Sequence, residues 1–331
     1  MPAQAELNEV TEKIQKITPK FEAIKTEIGK VIIGQTSMID RLLVALLADG
    51  HVLLEGMPGL AKTLAMTTLA KTIQADCKRV QFTPDLLPAD LIGTSIYNPR
   101  EAVFTISKGP IFTNILLADE INRAPAKVQS ALLEVMQERQ VTISGETFKT
   151  GNPFMVLATQ NPIEQEGTYT LPEAQTDRFM LKVNVGYPDL AEEKEILNRM
   201  GTLSQKPEVK AVISTQDILD MRKIVNDVYI DDKIIDYILS IIFATRQPKD
   251  YKVDIEGLLL FGASPRATIS LKLAAKAHAA LSGRAYVTPH DIKELAPDVL
   301  RHRIRRSYEA EAENITTDEI ISRILSTLVV P

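Results

Sequence analysis

The apolar run His51-Val52-Leu53-Leu54 passes directly into Gly56-Met57-Pro58-Gly59-Leu60-Ala61-Lys62-Thr63, and this junction constrains the chain more than any other stretch of it. It reads as a phosphate-binding loop between a strand ending at Leu54 and a helix. Glycines at 56 and 59 let the backbone turn tightly, so that successive N–H groups face a polyphosphate. Lys62 adds a full positive charge, and Thr63 offers a hydroxyl to Mg²⁺. Leu64-Ala65-Met66 with Leu69-Ala70 continue as the buried face of a helix whose N-terminal dipole favours the same anion. Ala61 stands where a glycine is expected; as a good helix former it suits a loop that has already turned into helix by that point. Taken alone, the stretch is also compatible with an ordinary Gly/Pro turn before a helix.

Two further apolar runs end in polar residues. Ile115-Leu116-Leu117-Ala118 delivers Asp119-Glu120, two acids that are costly to bury without a partner. In a phosphate-loop hydrolase Asp119 would hold the Mg²⁺ shell, and Glu120 would orient the attacking water or accept its proton. The alternative is that both acids cap a helix beginning near Pro125. Phe154-Met155-Val156-Leu157-Ala158 ends in Thr159-Gln160-Asn161-Pro162. Ligands of an open parallel sheet gather beyond the carboxyl ends of its strands, where the Asn161 amide could reach the γ-phosphate or the water; a simple Asn-Pro turn is the competing reading. Three such strand ends together are harder to dismiss than any one.

A chain of 331 residues has room for two domains, and 45% hydrophobic residues fill ordinary cores. A net charge of −5, the absence of tryptophan and only 5% aromatics argue against a broad nucleic-acid-binding face. The single cysteine, Cys77, excludes an intramolecular disulfide, and the four histidines form no cluster of metal-ligand spacing. A reducing compartment and no zinc are expected. Met1-Pro2-Ala3-Gln4-Ala5-Glu6 lacks the basic and apolar regions of a leader, and no apolar run approaches the ~20 residues of a membrane helix. The expectation is a cytoplasmic protein without membrane insertion.

Leu7, Val10, Ile14, Ile17, Phe21, Ile24 and Ile28 keep a helical spacing that Thr18-Pro19 interrupts, which predicts two short helices. Val31-Ile32-Ile33-Gly34-Gln35 either walls an adenine or is a plain hydrophobic joint. Ile39, Leu42, Leu43, Leu46 and Leu47 mark a buried helix before the phosphate-loop strand. Ala102-Val103-Phe104-Thr105-Ile106 belongs to one hairpin, and Gln140-Val141-Thr142-Ile143 with Thr147-Phe148-Lys149 to a second around Ser144-Gly145. From Leu190 onward the apolar spacing is helical, with a clear helix start at Thr288-Pro289.

In this order the parts resemble an AAA+ ATPase, and more closely the MoxR family, over nearly the whole chain. The resemblance rests on residues 56–63, Gln81-Phe82-Thr83-Pro84-Asp85-Leu86-Leu87-Pro88, Leu117-Ala118-Asp119-Glu120-Ile121-Asn122-Arg123-Ala124, Ala158-Thr159-Gln160-Asn161-Pro162, Leu171-Pro172-Glu173-Ala174-Gln175, Asp177-Arg178-Phe179 and Ser264-Pro265-Arg266-Ala267. It implies an α/β fold: an AAA+ core over 1–188, its parallel sheet flanked by helices, with hairpins inserted in helix 2 and before sensor 1, and a smaller all-helical lid over 189–331. It further implies ATP and Mg²⁺ as cofactors, with Ile32, Ile33 and residues 56–64 binding the nucleotide and Thr63 and Asp119 the metal. Lys62 and Glu120 would be catalytic, Asn161 the sensor-1 residue, Arg178 a finger given to a neighbouring subunit and Arg266 the sensor-2 arginine, in cis or in trans.

The family also implies a homo-oligomer, expected as a hexameric ring, that works as a chaperone on client protein complexes, including metal or cofactor insertion. A separate protein with a von Willebrand factor A domain is the expected partner. A chelatase-like or nucleic-acid-translocating motor and a non-hydrolysing scaffold stand as alternatives. By residue type alone, Arg178 could instead pair with Asp177 or Glu173. The cluster Arg301-His302-Arg303-Ile304-Arg305-Arg306 is expected to be a solvated or intersubunit face, since runs of charge usually are.

Overall fold

The computed structural model describes residues 4–162, 169, 171–201 and 207–331; Met1-Pro2-Ala3, which carry part of the leader expectation, lie outside them. The chain runs through α1 (Gln4–Gly29), α2 (Thr36–Leu47), β1 (Val52–Glu55), α3 (Lys62–Thr72), β2 (Cys77–Gln81) and α4 (Pro88–Ile92). A hairpin of β3 (Gly93–Asn98) and β4 (Val103–Lys108) precedes β5 (Ile115–Asp119) and α5 (Ala126–Glu138). A second hairpin, β6 (Gln140–Ile143) and β7 (Glu146–Lys149), precedes β8 (Met155–Gln160), α6 (Glu173–Thr176) and β9 (Leu181–Asn184). The remainder comprises α7 (Leu190–Met200), α8 (Thr215–Asn226), α9 (Asp232–Ala244), β10 (Leu259–Phe261), α10 (Pro265–Leu281), α11 (Pro289–Leu300), β11 (Arg305–Arg306), α12 (Tyr308–Ala312) and α13 (Thr317–Thr327).

The main sheet has the order β2-β5-β8-β1-β9, and all four strand pairs are parallel. Alternate residues serve opposite cores, as the two-residue strand period requires. Val52, Leu54, Ile115, Leu117, Met155 and Leu157 join one cluster with the N-terminal and C-terminal helices. Leu53, Leu116, Ala118, Val156 and Ala158 join the other, under α5 and the second hairpin. Both hairpins fall where the sequence places them, and the β6–β7 turn is the expected Ser144-Gly145 pair, both with positive φ.

Three expectations change. The break at Thr18-Pro19 does not occur: α1 is one helix with Pro19 inside it. An interior proline costs ~3 kcal/mol, but Ile14, Ile17, Phe21, Ile24 and Ile28 on both sides of it are all buried, at about 1.5–3 kcal/mol each. One continuous stripe therefore outweighs the lost bond. Leu64 is 45% exposed rather than part of the buried face of α3, which Ala65, Met66, Leu69 and Ala70 form. Lastly, the lid expected to be all-helical contains one antiparallel ladder, β10 with β11. Its helices are otherwise capped as their sequences suggest, with reciprocal boxes at Asp189/Glu192, Ser214/Asp217 and Thr316/Glu319.

Candidate functional site

The phosphate loop leaves the end of β1 between its two neighbours, β8 and β9, where the sheet changes direction of connection. Gly56 is required here by closeness: a Cβ would lie 2.7 Å from the carbonyl oxygen of Val185 after β9. Gly59 is required by conformation, with φ +85° and open space around it. Ala61 is not yet helical. It stands at φ 56° and ψ 18° as the residue before α3, in the left-handed region that a glycine fills without strain. Lys62 donates to the carbonyls of Gly56 and, at 2.9 Å, Met57, which ties its ammonium across the loop. Burial holds that ammonium below its ordinary pKa, against the opposing pull of Asp119, Glu120 and Glu55.

A cavity of about 430 Å³ opens over the loop. Lining it are residues 58–64, Asp119, Glu120 and Asn161, so three strand ends do converge. Thr63 Oγ1 lies 3.1 and 3.3 Å from the two carboxylate oxygens of Asp119, a set of hard oxygen donors that fits Mg²⁺. Neither acid caps the helix after Pro125, whose start has no side-chain cap. Glu120 adopts φ 55° and accepts at Oε2 from Gln81 Nε2 (2.7 Å) and Arg123 Nη1 (2.9 Å). Asn161 is buried at the end of β8.

Among the residues of this cavity that carry no role in the sequence reading, three hold its acids. Thr159 links the two acids: its Oγ1 accepts from the Glu120 amide at 2.9 Å and donates to Asp119 at 3.3 Å. Arg79 forms a 2.6 Å ion pair with Asp119, and Gln81 holds Glu120. Both stand on the edge strand β2, whose residues are all intermediate or exposed and give no signal of a site. Only their pairing with β5, Arg79 opposite Leu117 and Gln81 opposite Asp119, brings them there.

Ile32 and Ile33 line a different cavity, of about 460 Å³, between the end of α1 and α7, where Glu195 and Arg199 also stand. No residue lines both cavities. Arg178 and Arg266 are brought together in a third, of about 250 Å³, with Gln137, Arg139 and Asp177. It too shares no residue with the phosphate cavity. Arg178 does not pair with Asp177; its Nη1 donates to the Leu133 carbonyl, while its buried Nε has no hydrogen-bond partner among the described residues. Arg266, at the start of α10, reaches Gln137 at 3.3 Å and Asp177 at 3.9 Å.

The basic cluster is not a solvated face. Arg301 pairs with Asp298 and Asp318, His302 is bonded to the Phe179 carbonyl at 3.0 Å, and the Arg303 side chain is 1% exposed. Acids and carbonyls brought in by the fold, invisible to a count of charges along the chain, take up most of the cluster.

A parallel sheet with a phosphate loop at its switch point, an acid pair on the next strand but one and a helical lid define a nucleotide-binding protein of the AAA+ class. Residues 51–181 match the model of the ATPase family associated with various cellular activities, and residues 255–324 the AAA lid domain. Chaperone MoxR1 of Mycobacterium tuberculosis is 50% identical over 92% of this chain and 81% of its own length, and protein MoxR of Methylorubrum extorquens 29% over 92% and 93%. The crystal structure of a Cytophaga hutchinsonii protein assigned as an ATPase superposes with a TM-score of 0.92, at 51% identity over 98% of this chain and 99% of that one. The chain belongs to the MoxR family of AAA+ ATPases.

Proposed function

We propose that this protein hydrolyses ATP with Mg²⁺ in a homo-oligomeric ring, expected to be hexameric, and uses the cycle to remodel or mature client protein complexes, including those that receive a metal or cofactor. Residues 1–188 form the nucleotide-binding unit and 189–331 its lid. One observation carries the reading: the phosphate loop, Asp119, Glu120 and Asn161 line one cavity, while Arg178 and Arg266 stand together in another. Two arginines held together outside the cavity of the chain's own acid pair are suited to be lent to a neighbour, and on this reading Arg266 acts in trans beside Arg178. The name of the M. tuberculosis relative, a chaperone, supports the client reading. A separate protein with a von Willebrand factor A domain is the proposed partner, and the cytoplasm the proposed location.

Thr63 and Asp119 would hold the metal, which when bound neutralises charge on the β- and γ-phosphates. Lys62 and the loop amides bind those phosphates, and Ile32 and Ile33 wall the base. Glu120, braced by Gln81 and Arg123, orients the water and accepts its proton. Asn161 holds water and γ-phosphate in line. Arg178 from the neighbour stabilises charge that develops in transfer, a contribution of roughly 10³–10⁵ in rate for such fingers.

ATP turnover per subunit, measured against protein concentration, tests this. Specific activity should rise with concentration, fall at least ~100-fold in Arg178→Ala and vanish in Glu120→Gln while ATP still binds. Flat turnover indifferent to both substitutions would refute the assignment.

A further inference from the structure

Arg303 donates six hydrogen bonds, and several of its partners lie on either side of Arg178 in sequence. Its Nε donates to Asp177 Oδ1 at 2.7 Å. Nη1 donates to the carbonyls of Met180 (3.0 Å) and Val299 (2.6 Å), and Nη2 to those of Asp177 (3.1 Å) and Phe179 (2.6 Å) and to Ser270 Oγ (3.2 Å). Three of the four carbonyls belong to the turn that carries Arg178, on both sides of it. The fourth and the serine belong to α11 and α10 of the lid. The same turn is anchored to the sheet, where the Met180 amide donates to the His51 carbonyl at 2.8 Å just before β1.

Five N–H groups in a rigid planar fork serve acceptors in several directions, which only arginine does. A surface role for this side chain is excluded by its 1% exposure, and a purely local one by its partners at 177, 179 and 180, which stand more than a hundred residues from it in sequence. Asp177, the acid of the pair, also accepts from Ser264 Oγ at 3.0 Å, the residue that caps the helix bearing Arg266.

We infer that Arg303 is a positioning residue for the arginine finger: it fixes the Arg178 turn to the lid helices, so that the place of the lid in one subunit sets the finger offered to the next. The inference rests on the proposed action of Arg178 in trans. A finger displaced by about 1 Å loses on the order of 10²-fold in rate, so Arg303→Gln should lower kcat at least ~10-fold with KM for ATP within ~3-fold. Arg303→Lys, which keeps the charge beside Asp177 but not the fork, should be intermediate.

The deciding experiment mixes subunits. A Glu120→Gln subunit is inactive but carries an intact finger; an Arg178→Ala subunit has an intact acid pair but no finger to give. Mixed one to one, they should regain turnover well above the sum of the two alone, and Arg303→Gln mixed with Glu120→Gln should regain it likewise. Recovery with Arg178→Ala but not with Arg303→Gln would overturn the inference alone and make Arg303 structural. No recovery with either would overturn the trans reading and the inference with it. If Arg303→Gln does not fold, Asp177→Asn takes its place under the same two outcomes. Wild-type kcat in a folded Arg303→Gln would also overturn the inference.

Discussion

At the scale of single residues, the departure of Ala61 from the expected glycine has an energetic cost that composition hides. Its left-handed conformation costs an L-residue about 1–2 kcal/mol, whereas glycine adopts it freely and loses roughly 0.5–1 kcal/mol through chain entropy instead. Ala61→Gly should therefore leave the thermal unfolding midpoint equal or raised, with nucleotide affinity retained; a lowered midpoint would show that Ala61 is not strained. The motif was legible in the sequence, but the backbone state of Ala61 was not, because a helix propensity describes helix interiors and this residue precedes the helix. Thr159 shows the same limit: its type says little, and its bonds to both Asp119 and Glu120 arise only when β8 pairs with β5.

Among the elements, the two hairpins are coupled. Lys108, closing the first, has its ammonium 5.2 Å from the Phe112 ring centre and 4.7 Å from that of Phe148 in the second, and the rings meet edge to face at 6.2 Å. Such contacts contribute ~0.5–1 kcal/mol each, a large share for two-stranded units that are marginal alone. Lys108→Ala should speed amide hydrogen exchange in both hairpins while the phosphate loop keeps its protection and ATP affinity changes less than ~2-fold. Unchanged exchange would mean that the hairpins are independent. Each hairpin was readable from alternation and turn residues; their contact was not, since Lys108 and Phe148 are joined only by the fold. Exposed Tyr97 and Phe104, 5.1 Å apart, mark the outer part of the first hairpin.

For the whole molecule, buried histidines at the joints between elements set the response to acid. His51 accepts from the Val156 amide at 2.9 Å and is bonded to the Met136 carbonyl at 3.2 Å, so its neutral form uses both ring nitrogens. Burial first, and then the charge of Arg139, push its pKa down to about 3 from an ordinary 6.5. His302 is likewise held well below its usual value by burial and then by Arg303. The unfolded chain thus binds more protons below pH 6.5, and stability falls as pH drops through that value toward 3, with a slope approaching ~1.4 kcal/mol per pH unit for each histidine. Urea midpoints at pH 7, 6 and 5 should decline in that order, and His51→Asn should flatten the decline. An equal slope in that variant would exclude His51 as a source.

The sequence by itself determined the local and the periodic: the phosphate loop, the three strand ends with their acids and amide, both hairpins and the helical lid. Each is written in neighbouring residues or in a repeat of two or about 3.6. Tertiary structure alone decided that α1 runs through Pro19, because the burial that outweighs the proline comes from distant helices. It likewise decided that Arg79 and Gln81 enter the phosphate cavity, which depends on strand register. The fate of the Arg301–Arg306 cluster was decided the same way: a charge is costly to bury only until its partners are known, and Asp177, Asp298 and the carbonyls at 177, 179 and 180 reach it through the fold.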